Sequence, residues 1–101
     1  MSESQFQTKV LSKLRKKYPG YWRKISDKFR SGILDIIGCF ESRFVSFELK
    51  IPKEGVKAKP TPLQQHEIEE IINAGGKAIC CNTFEEIEEC MEQLKKEIKN
   101  G

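Results

Sequence analysis

Apolar residues recur along this chain with two alternating periods. Phe6, Val10 and Leu14 stand at helical spacing, with Lys9, Lys13, Lys16 and Lys17 mostly turned away, so a helix is expected from a Ser2 cap to about Lys17. Tyr18-Pro19-Gly20 breaks it. Alternation then predicts a strand over residues 21–26, with Tyr21, Arg23 and Ile25 on one side and Trp22 and Lys24 on the other. Residues 27–32 read as a polar connection. Residues 33–40 are apolar on both faces apart from Asp35, as in an interior strand, and residues 43–51 supply its partner. Thr61-Pro62-Leu63-Gln64 combines a cap, a first-position proline and a capping-box glutamine, and Gly75-Gly76 ends the helix that follows. A short strand is expected at 77–81. Thr83 and Glu86 then cap a last helix that turns Ile87, Cys90 or Met91, Leu94 and Ile98 inward.

Register sharpens this pattern into a site. A two-residue turn at Glu41-Ser42 sets Phe40 opposite Arg43, so paired residue numbers sum to 83 and Asp35 faces Glu48. Opposed residues share a face with Cβ atoms roughly 5 Å apart, and alternation adds Lys50, Ser46 and Phe44 to that face. Val45, Phe47, Leu49 and Ile51 cover the other. At about 100° per residue, Glu3 projects into the apolar stripe of the first helix, between Val10 and Leu14 with Gln7 beside it; an inward carboxylate wants a partner, whereas a frayed first turn or the helix dipole would account for it alone.

The chain has 101 residues, 38% of them hydrophobic and nine aromatic, which suits one domain with a single modest core. No run approaches a membrane span and no signal-peptide pattern precedes the first helix, so a soluble, cytoplasmic protein is expected. Cys39, Cys80, Cys81 and Cys90 form no CxxC pair; three sit at apolar positions of expected elements, so buried free thiols are expected, reduced as in that compartment. The net charge of +3 hides an asymmetry: residues 1–60 carry 14 Lys/Arg against 6 Asp/Glu, and residues 61–101 carry 4 against 9. A field of +8 around the acidic strands attracts a polyanion, so nucleic acid is the expected partner. Lys28, Arg30 and Ser31 before the first acidic strand, and Lys53, Lys57 and Lys59 after the second, are the candidate phosphate contacts. The glutamates of the last helix read as a solvated face turned away from it.

Two carboxylates about 4 Å apart repel by roughly 4 kcal/mol at an effective dielectric near 20, a large share of a small domain's stability. Asp35 and Glu48, with the Leu49 backbone carbonyl and water, form a hard-oxygen set suited to Mg²⁺ or Mn²⁺, and Glu3 would serve a second ion or its water. An ion there polarises a phosphoryl group and acidifies water, while Lys50 orients that water or offsets developing charge. A buried Asp-Lys-Glu network without an ion is the structural alternative. His66-Glu67-x-x-Glu70 shares only the first half of a zinc-protease HExxH pattern.

Taken in order, the acidic first helix (Glu3), Gly32-x-x-Asp35, the Gly38-Cys39-Phe40 and Arg43-Phe44-Val45 hairpin, Glu48-x-Lys50 and Thr61-x-x-Gln64 resemble the PD-(D/E)xK nuclease superfamily. The resemblance is closer to its virus-type replication-repair nuclease (VRR-NUC) branch, related to Holliday junction resolvases. It covers nearly the whole chain and implies a restriction-endonuclease-like α/β fold, αβββαβα, with a mixed four-stranded sheet flanked by helices. It also implies metal binding by Asp35 and Glu48, assistance to hydrolysis by Lys50, and an active-site role for Gln64, which the capping box explains equally well. Leu34 stands where that family usually has proline. By the same resemblance a homodimer, phage-type, acting on branched DNA is expected; a DNA-binding module without turnover is the rival.

Overall fold

A computed structural model describes residues 1–26 and 32–101. The elements run α1 (Glu3–Lys17), β1 (Tyr21–Lys24), β2 (Ile36–Phe40), β3 (Arg43–Leu49), α2 (Pro62–Asn73), β4 (Lys77–Cys81) and α3 (Phe84–Asn100). This is the expected αβββαβα order. The strands lie in the order β1-β2-β3-β4, antiparallel except for the parallel β3–β4 pair, so the sheet is mixed. None of the described helices is long and apolar enough to cross a membrane.

Each helix starts where side-chain oxygens replace missing backbone partners. Ser2, Thr61 and Thr83 each accept from the backbone N–H three residues on, and Gln5, Gln64 and Glu86 reciprocate. The hairpin between β2 and β3 turns through Glu41 and Ser42 at φ 47° and 70°, both left-handed, which is the twist a two-residue connection needs even without Asn or Gly. Phe40 pairs with Arg43 and Ile36 with Phe47, so the predicted register holds.

The strands are shorter than the pattern suggested. β1 ends at Lys24, β2 begins at Ile36 and β3 ends at Leu49. The ladder contacts nevertheless continue beyond the strand ends, because the Ile25 N–H donates to the Asp35 carbonyl at 2.8 Å.

The larger core lies between the sheet and the α1 and α3 layer. Phe6, Val10 and Leu14 of α1 meet Ile36, Phe47, Leu49 and Trp22 there, with Ile87, Met91 and Leu94 of α3. Val45, Phe47 and Leu49 are thus on the face the alternation assigned to packing. A smaller cluster of Leu34, Ile68 and Ala78 forms beneath α2 on the opposite face. The α3 glutamates are not simply a solvated face, contrary to expectation. Glu88 pairs with Lys17, Glu92 accepts from the Tyr18 hydroxyl, Glu86 from Lys57 and Glu97 from Lys77, because α3 lies beside cationic stretches of three other elements.

The four thiols are free; Cys81 is buried, Cys80 and Cys90 partly so, and Cys39 is exposed. Gly38 sits where the Trp22 ring crosses β2. A Cβ there would overlap that ring and lie 2.6 Å from the Tyr21 carbonyl oxygen. Trp22 is fully buried and stacked on Phe47, so it cannot move aside. Overpacking commonly costs about 1–3 kcal/mol. Gly38→Ala is therefore expected to destabilise the protein by about 3 kcal/mol, the upper end of that range, read as a lowered urea midpoint of Trp22 fluorescence at unchanged slope.

Candidate functional site

Where β2 would continue toward Leu34, an aspartate side chain takes over the ladder. The Leu49 N–H faces β2, and its acceptor is Asp35 Oδ2 at 2.9 Å. Short polar side chains compete with backbone acceptors in this way, and the competition explains why β2 starts at Ile36. The carboxylate is thereby fixed against β3, one register step past the Ile36–Phe47 pair and level with Glu48.

Both acids are buried, Asp35 at 5% and Glu48 at 2% exposure. Glu48 lies on the face opposite Phe47 and Leu49, as alternation requires, and pairs across β3–β4 with Cys80. Ser46 on the same face donates to the Ile36 carbonyl at 2.8 Å, which satisfies a buried hydroxyl and ties the two strands below the acids. Lys50 follows on that face, its Nζ 3.6 Å from Glu48 Oε2 and partly open to solvent.

The first turn of α1 completes the group. With Phe6, Val10 and Leu14 anchored in the core, the N-terminal end of α1 lies beside the end of β1, where Ser4 Oγ is 3.5 Å from Lys24 Nζ. Glu3 reaches the acids from there: one carboxylate oxygen each of Glu3, Asp35 and Glu48 lie within 4.8 Å of one another. Glu3 is exposed, so it approaches from the solvent side and is not embedded in the apolar stripe. Three carboxylates converging on one point, two of them buried, make an oxygen-rich donor set that fits a hard divalent cation.

The structure separates the other candidates. Gln64 begins α2, and its side-chain oxygen is engaged by the Thr61 N–H at 2.9 Å, the capping role that sequence alone explained. Gly32, at φ 94°, packs against it in sequence order: a Cβ on Gly32 would sit 2.7 Å from the Leu63 carbonyl oxygen, so only glycine lets the segment before Asp35 approach α2 this closely. Lys57 is paired with Glu86 at 3.0 Å, while Lys53 and Lys59 are exposed on the loop after β3. Lys28, Arg30 and Ser31 lie outside the described residues. Leu34 is buried in the small core beneath α2.

Two features at this site escaped the sequence reading. The Leu49 N–H that orients Asp35 is a backbone group, invisible to residue type. Cys80 is the second: burial, then the Glu48 charge, push its thiol above the usual range against the opposing pull of Lys50. Its closeness followed from the parallel β3–β4 register, which no turn signal specified.

No protein-family model and no curated protein matches the sequence. A solved structure described as "VRR_NUC domain" is similar to this chain with a TM-score of 0.70 at 22% identity, covering 91% of this chain and 97% of that one. At that identity the likeness is one of fold. The restriction-endonuclease-like α/β architecture expected from the sequence is therefore the architecture the chain has.

Ligand linkage offers a test that does not require turnover. Mn²⁺ at about one hundred times its dissociation constant is expected to stabilise the protein by about 2.7 kcal/mol. Asp35→Asn and Glu48→Gln should each remove the dose-dependent rise in Tm. Glu3→Gln should move the dose response about tenfold toward higher Mn²⁺, roughly 1.4 kcal/mol of lost affinity, and an unchanged curve would exclude Glu3 as a ligand.

Proposed function

We propose that this protein is a metal-dependent nuclease that hydrolyses DNA phosphodiester bonds. The observation that carries the reading is the convergence of Glu3, Asp35 and Glu48 within 4.8 Å, with the Lys50 ammonium at 3.6 Å from Glu48, at one end of a sheet whose fold is shared with a VRR_NUC domain structure. A divalent cation held there supplies a Lewis acid for the phosphoryl group and acidifies water. Mg²⁺ and Mn²⁺ suit the all-oxygen donors, to which the Leu49 carbonyl would add a neutral ligand.

The chain's own groups do the rest. Asp35 is oriented by the Leu49 N–H, which holds Oδ2. Glu48 enters from the neighbouring strand, so the two acids are held by backbone on both sides of one ladder step. Lys50 keeps a cation beside Glu48 and open to solvent, placed to offset negative charge developing on the phosphate or to orient water. Gln64 stands at the head of α2 and would act only as far as its capping bond allows.

Branched DNA and a homodimer are what the resemblance implies, and charge and symmetry support that reading. The exposed Lys53 and Lys59 on the loop after β3, and Lys50 at its root, support contact with a phosphate backbone. Lys28, Arg30 and Ser31 are proposed for the same role. The described residues carry one such site, so paired incisions in a branched duplex such as a four-way junction call for two copies related by a two-fold axis. The proposed enzyme is accordingly a homodimer selective for branched DNA.

The test is cleavage of a synthetic four-way junction, flaps and linear duplex with Mn²⁺ or Mg²⁺. Junction cutting is expected to exceed duplex cutting and to fall by about 10³-fold or more in Asp35→Ala, Glu48→Ala and Lys50→Ala, since each removes a group acting at the reacting centre, a loss of roughly 4 kcal/mol. Undiminished cutting by these variants would refute the assignment. Salt-sensitive binding without hydrolysis across a metal screen would instead identify a DNA-binding module.

A further inference from the structure

The sheet has two free edges, and they are treated differently. On β1 the Ile25 N–H pairs with Asp35, so alternation turns the backbone groups of Trp22 and Lys24 outward. The Trp22 carbonyl is occupied there by two guanidinium groups, Arg15 Nη2 at 3.0 Å and Arg23 Nη1 at 2.8 Å. That edge is blunted. On β4 the Cys81 carbonyl accepts from the Lys50 N–H, so Lys77, Ile79 and Cys81 address β3 while Ala78 and Cys80 turn their N–H and C=O groups outward. The next outward N–H, that of Asn82, is taken by Glu86 Oε1 at 2.8 Å, but no arginine or lysine side chain caps Ala78 or Cys80 among the described hydrogen bonds.

A groove of about 500 Å³ runs along this edge between α2 and α3. Ile72 of α2 stands on one wall, half exposed; Glu86, Glu89 and Cys90 of α3 stand on the other. Cys80 and Cys90, both free and partly buried, add small apolar side chains to the lining. Lys77 at one end is paired with Glu97 at 2.8 Å and Glu86 with Lys57 at 3.0 Å, which leaves Glu89 as the charge the walls present.

We propose that the free edge of β4 takes an extended cationic segment of a partner protein as a fifth strand. Successive side chains of an added strand face opposite layers. Those turned to α3 meet Glu89 and should be Lys or Arg; those turned to α2 meet Ile72 and should be β-branched. The segment bound is therefore an alternating cationic and apolar stretch about as long as β4. A second copy of this chain fits poorly, because a two-fold through β4 would bring the two Glu89 carboxylates to the same side of the joined sheets and offer neither a cation. Residues 61–101, with 4 Lys/Arg against 9 Asp/Glu, also repel nucleic acid from this side; Cys80 joins the groove to the strand of Glu48, and the peptide readouts below do not require DNA cleavage.

The probe is a fluorescein-labelled, capped octapeptide of alternating Lys and Val, compared with a Glu-for-Lys version and one N-methylated at alternate residues. Saturating probe is expected to slow amide exchange at Ala78 and Cys80 about tenfold or more. The Glu and N-methylated peptides, and the Glu89→Lys protein with the original peptide, should each bind about tenfold more weakly by anisotropy. Unchanged exchange at both amides at millimolar peptide, or equal binding of the N-methylated peptide, would overturn the proposal. So would concentration-dependent protection of these amides without peptide, which would mean that a second copy occupies the edge.

Discussion

The Leu49 N–H points toward β2 and must find an acceptor there, and the acceptor it finds is a carboxylate rather than a carbonyl. Much else depends on that substitution. It ends β2 at Ile36, frees the segment containing Leu34 to leave the sheet and pack under α2, and locks Asp35 beside Glu48 at 5% exposure. A buried carboxylate is tolerable when a backbone donor serves one oxygen. The same hydrogen bond thus terminates a strand and orients an acid.

Most of the fold was legible because its signals were local and redundant. A Ser2 cap, capping boxes at Thr61 and Thr83, a proline at the start of α2 and glycines after its end placed the three helix starts and the ends of α1 and α2 closely. The β2–β3 register was legible for a different reason: a one-residue slip would have moved Val45, Phe47 and Leu49 out of the core, so only one register buries them. Asp35 facing Glu48 follows from it. The strand ends were misjudged because alternation continues through residues 33–35 and 50–51, although toward β2 the Leu49 N–H has passed to the Asp35 side chain while toward β4 the Lys50 N–H still meets the Cys81 carbonyl. A pattern of side chains records which face a residue takes, not which atom accepts its neighbour's hydrogen bond.

Legibility of the site was lower, and the missing parts are tertiary. Helical phasing put Glu3 inside the apolar stripe; the structure puts it at the solvent end of that stripe, where a first-turn residue can reach past the edge of the sheet to Asp35 and Glu48. Cys80 comes beside Glu48 only through a parallel pairing joined by a loop and a helix, which leaves no sequence-local trace of register. Gln64 shows the converse. Its local role was readable, and the structure finds it performing that role with Thr61.

The α3 glutamates matter to the site although they are remote from it. Arg15, Lys16 and Lys17 crowd the last turn of α1, where they suit the helix dipole but repel one another. Glu88 answers Lys17, and Glu92 accepts from the buried Tyr18 hydroxyl, whose ionisation burial and that carboxylate push upward. Of the three cations at that end of α1, Lys17 is thereby answered within the protein. At the opposite end of the sheet, Lys50 is shared with a single glutamate, and Lys53 and Lys59 extend into solvent on the following loop. Exposed charges are screened beyond roughly 8–10 Å at physiological salt, so what a polyanion meets is local excess rather than net charge. α3 trims that excess on both sides, answering Lys17 through Glu88 and Lys57 of the loop through Glu86, while Lys53 and Lys59 stay exposed on the loop that leaves the strand of Glu48.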